Sequence, residues 1–236
     1  MLTLAIGDLY IPERSVDIPS KFRKLLSPNP NSIPSNNKIS EVICLGNIIN
    51  SNDILKFLYN LSNSFHLVKG EFDDSQILSQ QLLAISNKDK PIPLHNVIVH
   101  DNLRIGFTNG YQIVPKNDPL ALSNVARELD VDILIWGGTH KVEAYTLDGR
   151  FFINPGSATG AYTFDWPEQD DAQDIEDESD LLTNSIDVEV LNEVIESDAI
   201  IPSFCLLDTQ GSTCTLYIYT YLGGEVKVDK VTYTKE

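Results

Sequence analysis

The chain has little cysteine, with three residues among 236, an odd number that argues against a framework of disulfide bonds. Cys44, Cys205 and Cys214 each lie inside an apolar run, which favours buried thiols in a reducing compartment. No apolar stretch approaches the roughly 20 residues of a membrane-spanning helix. The N-terminal "MLTLAIGDLY" has no basic region before its short apolar run, so we predict a buried strand there instead of a signal peptide.

Positive charge is also scarce, because 17 Lys and Arg face 34 Asp and Glu, for a net charge of -17. Fourteen of the acids lie in residues 165–198, a stretch without Lys or Arg. The rest of the chain carries 17 basic and 20 acidic residues, a net charge of -3. Nucleic-acid binding needs a basic face, so this near-neutral body argues against that class of function.

The acidic stretch at residues 165–198 is too charged to bury a core, and we predict it to be a disordered insertion in a single domain spanning 1–236. One alternative stays open, a short amphipathic helix that could bind a partner. It rests on apolar residues at helical spacing, namely Ile186, Val190, Leu191, Val194 and Ile195.

The pattern of elements predicts an α/β fold. In the first half, short apolar runs alternate with helical patterns, and one helix is predicted to begin at Asp118 and Pro119, which suit an N-cap and a first turn. In the second half, consecutive strand patterns follow one another with hairpin turns at 148–149 and 223–224. This order predicts two stacked sheets with helices outside.

Five predicted strands of the first half end in a glycine beside a polar residue. In an open α/β sheet such carboxyl ends meet in one crevice, where glycines let the backbone approach a ligand. If each glycine only formed a turn, the polar residue beside each would have no explanation. The five ends are Gly7-Asp8, Gly46-Asn47, Gly70-Glu71, Asn109-Gly110 and Gly137 to His140.

The order of these polar residues resembles the five sequence blocks of the metallophosphoesterases, D-x-H, G-D, G-N-H-[DE], H-G-H and G-H-x-H. In that family two metal ions held by carboxylates and imidazoles activate water and clamp the phosphate. The resemblance carries over Asp8 and His140 as ligands and Asn47 at the position of the bridging aspartate. It implies that no metal is required, and that these three, with Glu71, could hold at most one weakly bound Mn, Mg or Zn ion.

Most of the chemistry of the five blocks is missing here. Tyr10 and Asn109 stand where histidines bind metal, and Gly138 replaces another histidine. Phe72 stands at the position of the histidine that acts on the leaving group, and a phenyl ring cannot transfer a proton. We therefore predict a non-enzyme with no catalytic residue.

The match is closer to one branch, the metallophosphoesterase-like small subunits of retromer, the endosomal sorting coat. The resemblance covers residues 1 to about 162 and 200–236, and it implies a two-sheet αββα sandwich of metallophosphoesterase type. Tyr10, Asn109, Gly138 and the acidic insertion depart from that branch. The segments that carry the resemblance are "GDLYIPER", "IPSKFRKLL", "VKGEFD", "ELDVDILIWGGTHKVEAY", "FFINPGSATGAY", "IPSFCLLD" and "VKVDKVTY".

This resemblance implies a scaffold in endosome-to-Golgi retrograde transport, cytoplasmic and held on the endosomal membrane only through its complex. The loop of Ile113, Val114 and Pro115 would contact the C-terminal end of retromer's large α-solenoid subunit, although from the residues alone this loop could equally pack in the core. A separate apolar patch would recruit sorting-nexin coat subunits or regulators of Rab GTPases. Its positions are Leu2, Leu25, Leu206, Tyr219 and Val228.

Two rival functions stay open. One is a divergent phosphoesterase with a mononuclear metal site, which the changed proton donor and bridging carboxylate disfavour. The other is an interaction domain whose partner is unrelated to retromer. Only the retromer hypothesis predicts a large helical-solenoid partner.

Overall fold

The computed structural model describes residues 1–87, 91–163 and 200–235. The insertion predicted at 165–198, and the alternative helix within it, lie outside the described residues. Two sheets and four helices make up the described part. The helices are α1 (Ser20–Leu26), α2 (Asn52–Tyr59), α3 (Ser75–Ser86) and α4 (Pro119–Glu128). The strands are β1 (Leu2–Ile6), β2 (Glu41–Cys44), β3 (Ser64–Leu67), β4 (His95–His100), β5 (Leu103–Thr108), β6 (Ile133–Ile135), β7 (Val142–Leu147), β8 (Arg150–Pro155), β9 (Ser203–Gln210), β10 (Thr213–Leu222) and β11 (Glu225–Thr234).

The first sheet has six strands in the order β11-β10-β9-β1-β2-β3, and the second has five in the order β4-β5-β6-β8-β7. β1, β2 and β3 run parallel, and β9 to β11 continue as an antiparallel meander from β1. In the second sheet β5, β6 and β8 are parallel, and the edge strands β4 and β7 are antiparallel to their neighbours.

Alternation along the strands divides the apolar residues between two faces of each sheet. Ala5, Ile43 and Cys205 of the first sheet pack with Ile105 and Ile133 of the second, which forms the core between the sheets. The opposite face of the first sheet packs on α1 and α2, and that of the second packs on α4. The predicted αββα sandwich is confirmed.

Local sequence accounts for the helix starts. Asp118 accepts a 2.7 Å hydrogen bond from the Ala121 N–H, and Pro119 occupies the first turn, as the sequence predicts for α4. Asp74 caps α3 in the same way through the N–H groups of Gln76 and Ile77. α3 is not predicted from the sequence, because the helix buries only Leu78 and therefore lacks a strong apolar periodicity.

The three cysteines are buried and free, as predicted. Burial raises the pKa of the Cys44 thiol to about 12. Among the described residues, no helix has both the length and the apolar character needed to cross a membrane.

The chain on either side of residues 164–199 is joined by backbone contacts. Ser203 donates a 2.8 Å backbone hydrogen bond to Ser157, and its Oγ donates to the Pro155 carbonyl at 2.8 Å. Gly160, at φ +68°, lies so close to Pro202 that a Cβ there would come within 2.9 Å of the proline ring. The described residues on either side of 164–199 are therefore tied directly to each other.

We predict that replacing residues 164–199 by a short Gly-Ser linker leaves the fold intact. Because the contacts above join both ends, the melting temperature should change by less than about 4 °C, the shift expected for roughly 1 kcal/mol in a domain of this size. Thermal unfolding followed by circular dichroism measures this. A fall of about 10 °C or more would show that the segment packs on the body.

Candidate functional site

The polar residues that end β1, β2, β5 and β6 meet in one buried crevice. Asp8, Asn47, Asn109 and His140 are all buried. The Asp8 carboxylate accepts hydrogen bonds from both asparagines, and Tyr10, which contacts the His140 ring and accepts from Asn47, links His140 to them. Parallel strands bring their carboxyl ends together at one edge, which explains the convergence. The structure thus brings together the residues predicted from the strand ends, with Glu71 as the exception, since it is exposed.

The Asp8 carboxylate is surrounded by N–H donors. Its Oδ1 accepts from Asn47 Nδ2 at 2.7 Å and from Asn109 Nδ2 at 3.4 Å. Its Oδ2 accepts from the Gly138 backbone N–H at 2.6 Å. These three donors compensate a charge that burial would otherwise make costly.

The Asn47 side chain makes a hydrogen bond with each of its polar hydrogens and with its oxygen. Nδ2 donates to Asp8 and to the Tyr10 hydroxyl, the latter at 2.9 Å, and Oδ1 accepts from the Phe72 N–H at 3.1 Å. The Phe72 donor requires the oxygen on its side of the carboxamide, so the NH₂ group must face Asp8.

A hydrogen bond and a ring contact fix the position of the His140 side chain. Its Nδ1 lies 2.6 Å from the Ala161 carbonyl, which can only accept, so Nδ1 carries a proton. Its ring packs on Tyr10 with centroids 4.9 Å apart. Burial, followed by the charge of Asp8, raises the pKa of the Tyr10 hydroxyl far above its usual value, so it stays protonated.

Asp73 fixes the loops after β2 and β3. Its carboxylate accepts the N–H groups of Asn47 at 2.7 Å, Ile49 at 2.9 Å and Gly70 at 2.9 Å. Burial raises the pKa of Asp73, and these N–H donors counteract part of that rise. Asp73 stands at the acid position of the G-N-H-[DE] block, and here it supports the backbone around Asn47.

The segment "NPGSATG" holds the loop after β1. Ser157 Oγ donates to the Asp8 carbonyl at 2.6 Å, and Thr159 Oγ1 donates to the Leu9 carbonyl at 2.8 Å. The Ala158 N–H donates to the Gly7 carbonyl at 3.1 Å. Asp8 sits at φ +50°, an unfavourable backbone region for a residue with a side chain, and these contacts keep it there.

The mouth of the crevice is aromatic. The Arg14 guanidinium lies 4.0 Å from the centre of the Tyr10 ring and 5.0 Å from that of Phe72. Arg14 also donates to the Tyr162 carbonyl at 3.0 Å. Neither Arg14 nor Tyr162 was singled out from the sequence, because cation–π contacts between distant residues leave no local pattern.

The crevice does not fit the two divalent cations of a metallophosphoesterase. Both oxygens of Asp8 face N–H hydrogens, and the oxygen of Asn47 points to a backbone N–H. Of the predicted set Asp8, Asn47 and His140, only Asp8 is anionic. Among residues 1–87, 91–163 and 200–235, no group of three His, Cys, Asp or Glu side chains could hold a metal ion.

The loop after β5 is only partly a surface. Val114 is 84% exposed and Pro115 is exposed, but Ile113 is 6% exposed and packs with Trp136 and Leu122. The prediction that Ile113 contributes to a contact surface is therefore wrong, because its side chain fills the core under α4. Val114 and Pro115 are exposed, and their part in a contact surface stays a prediction.

Four of the patch residues, Leu2, Leu206, Tyr219 and Val228, share the face of the first sheet that carries α1, and the fifth, Leu25, belongs to α1 itself. Cross-strand pairing links Leu206 to Tyr217, and Tyr219 to Val228, and paired residues point to the same side. α1 lies on this face, since its Phe22 ring meets Phe204 edge-on at 4.7 Å. Exposure is uneven: Val228 is 49% and Leu25 is 40% exposed, whereas Leu206 is 7% exposed. Leu2 and Tyr219 are half-buried.

Comparison with known proteins identifies similar chains over the full length. Residues 27–168 match the family model "Calcineurin-like phosphoesterase superfamily domain". The chain is 43% identical to vacuolar protein sorting-associated protein 29 of Saccharomyces cerevisiae over an alignment of 292 residues that covers 100% of both. It is also similar to the crystal structure of Vps29 from Chaetomium thermophilum, with a TM-score of 0.75, 36% identity and 100% of each chain covered. Wild-type Vps29 from Entamoeba histolytica, crystallised with Zn²⁺, has a TM-score of 0.71 and 33% identity over 98% of this chain and 99% of that one.

Proposed function

This chain belongs to the Vps29 family of calcineurin-like phosphoesterase-fold proteins, and we propose that it is a non-catalytic scaffold subunit of retromer in endosome-to-Golgi retrograde transport. The observation that carries the proposal is the state of the crevice, in which the fold of an enzyme is kept but its catalytic groups are not. Family membership supports a role in vacuolar protein sorting, and the peripheral, cytosolic position on endosomes is part of the proposal.

The absence of catalysis is argued from the side chains at the reacting positions. Phosphate release needs a proton donor to the leaving group and a cation or a cluster of donors that stabilises the developing charge. Phe72 offers neither, and it is 50% exposed over Arg14. Asp8 is occupied by N–H donors, and the proton on His140 Nδ1 is already donated to a carbonyl.

We expect no phosphoesterase turnover above background from the purified protein. The assay uses phosphomonoester and phosphodiester substrates with Mn²⁺ or Zn²⁺, and the matched control is Asp8→Ala. Equal, background rates for both proteins are the predicted result. Metal-dependent turnover that disappears in Asp8→Ala would contradict the proposal and support a mononuclear phosphoesterase.

The first proposed contact is with the C-terminal end of the large α-solenoid subunit. Val114 and Pro115 form an exposed apolar tip at the crevice edge, and Leu120, 66% exposed at the start of α4, follows it closely in sequence. Exposed apolar side chains of this kind contribute most when a partner removes them from water.

The second proposed contact is the patch of Leu2, Leu25, Leu206, Tyr219 and Val228, which would recruit sorting-nexin coat subunits or Rab GTPase regulators. Phe204 and Tyr219 stack with centroids 4.8 Å apart, so the fully buried Phe204 ring supports the half-buried Tyr219 ring from below. Val228, which pairs with Tyr219, and Leu25 of α1 are both exposed. The patch lies on a sheet face and the Val114 tip lies at the strand ends, so the two contacts use different surfaces.

We predict that the two surfaces can be disrupted separately. Val228→Asp should weaken binding of regulators by about 100-fold or more and leave solenoid binding unchanged, and Val114→Asp should do the reverse, because a carboxylate buried in an apolar contact costs several kcal/mol. Val228 is preferred to Leu206, whose burial means that its substitution could unfold the sheet. Pull-downs with each partner class measure both effects.

The matched control is Val99→Asp, since Val99 is 60% exposed on the edge strand β4 and belongs to neither surface. It should bind both partner classes normally. Loss of both partners in Val228→Asp or Val114→Asp, with normal circular dichroism, would mean that one shared surface is used.

A further inference from the structure

We propose that the crevice is a metal-free structural network in which the Asn47 carboxamide and the Gly138 N–H occupy the role that divalent cations have in the metallophosphoesterases. The inference rests on the family's fold and on the contacts of this chain. It does not depend on the proposed role in retromer.

The negative charge of Asp8 is compensated without a metal ion. A metal site uses cations to offset its carboxylates, whereas here the buried Asp8 carboxylate is offset by the hydrogens of Asn47, Asn109 and Gly138. Two of these contacts, at 2.7 Å and 2.6 Å, have the short lengths of charge-assisted hydrogen bonds. A cation entering this position would have to displace donors that already satisfy both oxygens.

The Asn47 side chain cannot turn its oxygen toward a cation without losing hydrogen bonds. Rotation of the carboxamide would remove the Phe72 N–H from its acceptor and set Oδ1 against Asp8 Oδ1. Space is also restricted, because the Gly70 backbone packs on Asn47 so closely that a Cβ at Gly70 would lie 2.3 Å from Oδ1. The orientation is fixed by the fold.

Contacts within the protein hold the backbone of the crevice in place. Asp8 and Asn47 both have positive φ, at +50° and +55°. Protein contacts maintain these conformations: Ser157 Oγ binds the Asp8 carbonyl, and Asp73 binds the Asn47 N–H. A metal ion is not needed to stabilise these strained backbone conformations.

One buried acceptor in the crevice has no hydrogen-bond partner within the described part of the chain, Asn109 Oδ1. It does not create a cation site. A side chain at Gly138 would begin 3.8 Å from this oxygen and 3.8 Å from Lys116 Cε, so the space beside it adjoins a cationic side chain. A single neutral amide oxygen, without the carboxylates or imidazoles of a metal site beside it, is not enough to hold Mn²⁺ or Zn²⁺.

The direct test is thermal unfolding of the full chain in EDTA, in MnCl₂ and in ZnCl₂, with isothermal titration calorimetry of the same ions. A cation bound at a hundred times its dissociation constant would raise the melting temperature by about 5 °C or more in a domain of this size. We expect no rise and no binding heat. A rise of that size with either ion, with a one-to-one binding isotherm, would overturn the proposal.

The variant Asn47→Asp tests whether the Asn47 carboxamide takes the role of a cation. It keeps an acceptor for the Phe72 N–H but sets a second carboxylate against Asp8, so in EDTA its melting temperature should fall by at least about 5 °C. Mn²⁺ or Zn²⁺ should restore part of that loss, since two facing carboxylates recreate the beginning of a metal site.

The matched control is Asn36→Asp, because Asn36 is also a buried asparagine that donates to a carbonyl, Leu26 O at 2.9 Å, and accepts a backbone N–H, that of Lys38. It should lose stability without any rescue by metal. An equal response of the two variants to metal contradicts the proposal.

If Asn47→Asp does not fold, the variant Asp8→Asn tests the metal-free network in its place. It sets an amide NH₂ against the donors of the network, so we expect a lower melting temperature than wild type in EDTA. In an empty metal site, removal of a ligand carboxylate relieves repulsion, and an unchanged or raised melting temperature would reject the network.

Discussion

The hydrogen bond between the Asn47 carboxamide and the Asp8 carboxylate is the contact on which the crevice depends. It joins the ends of β1 and β2 at 2.7 Å, and every other loop around it is arranged through one of its two residues. Asp73 holds the backbone of Asn47, the segment after β8 holds the carbonyl of Asp8, and Gly138 brings the end of β6 to the same carboxylate. A buried carboxylate without these donors would cost several kcal/mol, so the contact is needed for folding as well as for shape.

The proposed replacement of ions by amides would let an enzyme fold serve as the scaffold that we propose. The sandwich gathers the ends of β1, β2, β5 and β6 at one edge, and the exposed Val114 follows β5 there. The positions that carry catalysis in the metallophosphoesterases lie at strand ends, whereas the core lies along the strands, so changes at those positions leave the packing between the sheets intact. The second contact that we propose uses a different surface, that of α1 and the first sheet.

Much of the fold was predictable because its signals are local. Strand alternation, the Asp118-Pro119 start of α4 and the glycine turns each act within a few residues, and the structure agrees with them. α3 escaped prediction because it buries one residue, Leu78, and contributes little apolar periodicity. The convergence of the strand ends was predictable from topology alone.

The details of the site were less predictable because they depend on long-range contacts. The sequence pattern predicts Asn47 as a weak ligand, yet the direction of its amide depends on the Phe72 N–H, 25 positions away. The burial of Ile113 depends on packing with Trp136 and α4, which no short pattern contains. Arg14 reached the crevice mouth through stacking on Tyr10 and Phe72, contacts that exist only in the folded chain.

The most direct test of a cation-free crevice is nuclear magnetic resonance of the Asn47 side-chain amide. The two Nδ2 protons should exchange slowly with solvent in EDTA, since both are buried donors, and their signals should keep their position and width when Mn²⁺ is added. Selective broadening of these signals by the paramagnetic ion at a stoichiometric concentration would show that a metal enters the crevice, and rapid exchange in EDTA would show that the amide is not held as a buried donor; either result would contradict the account.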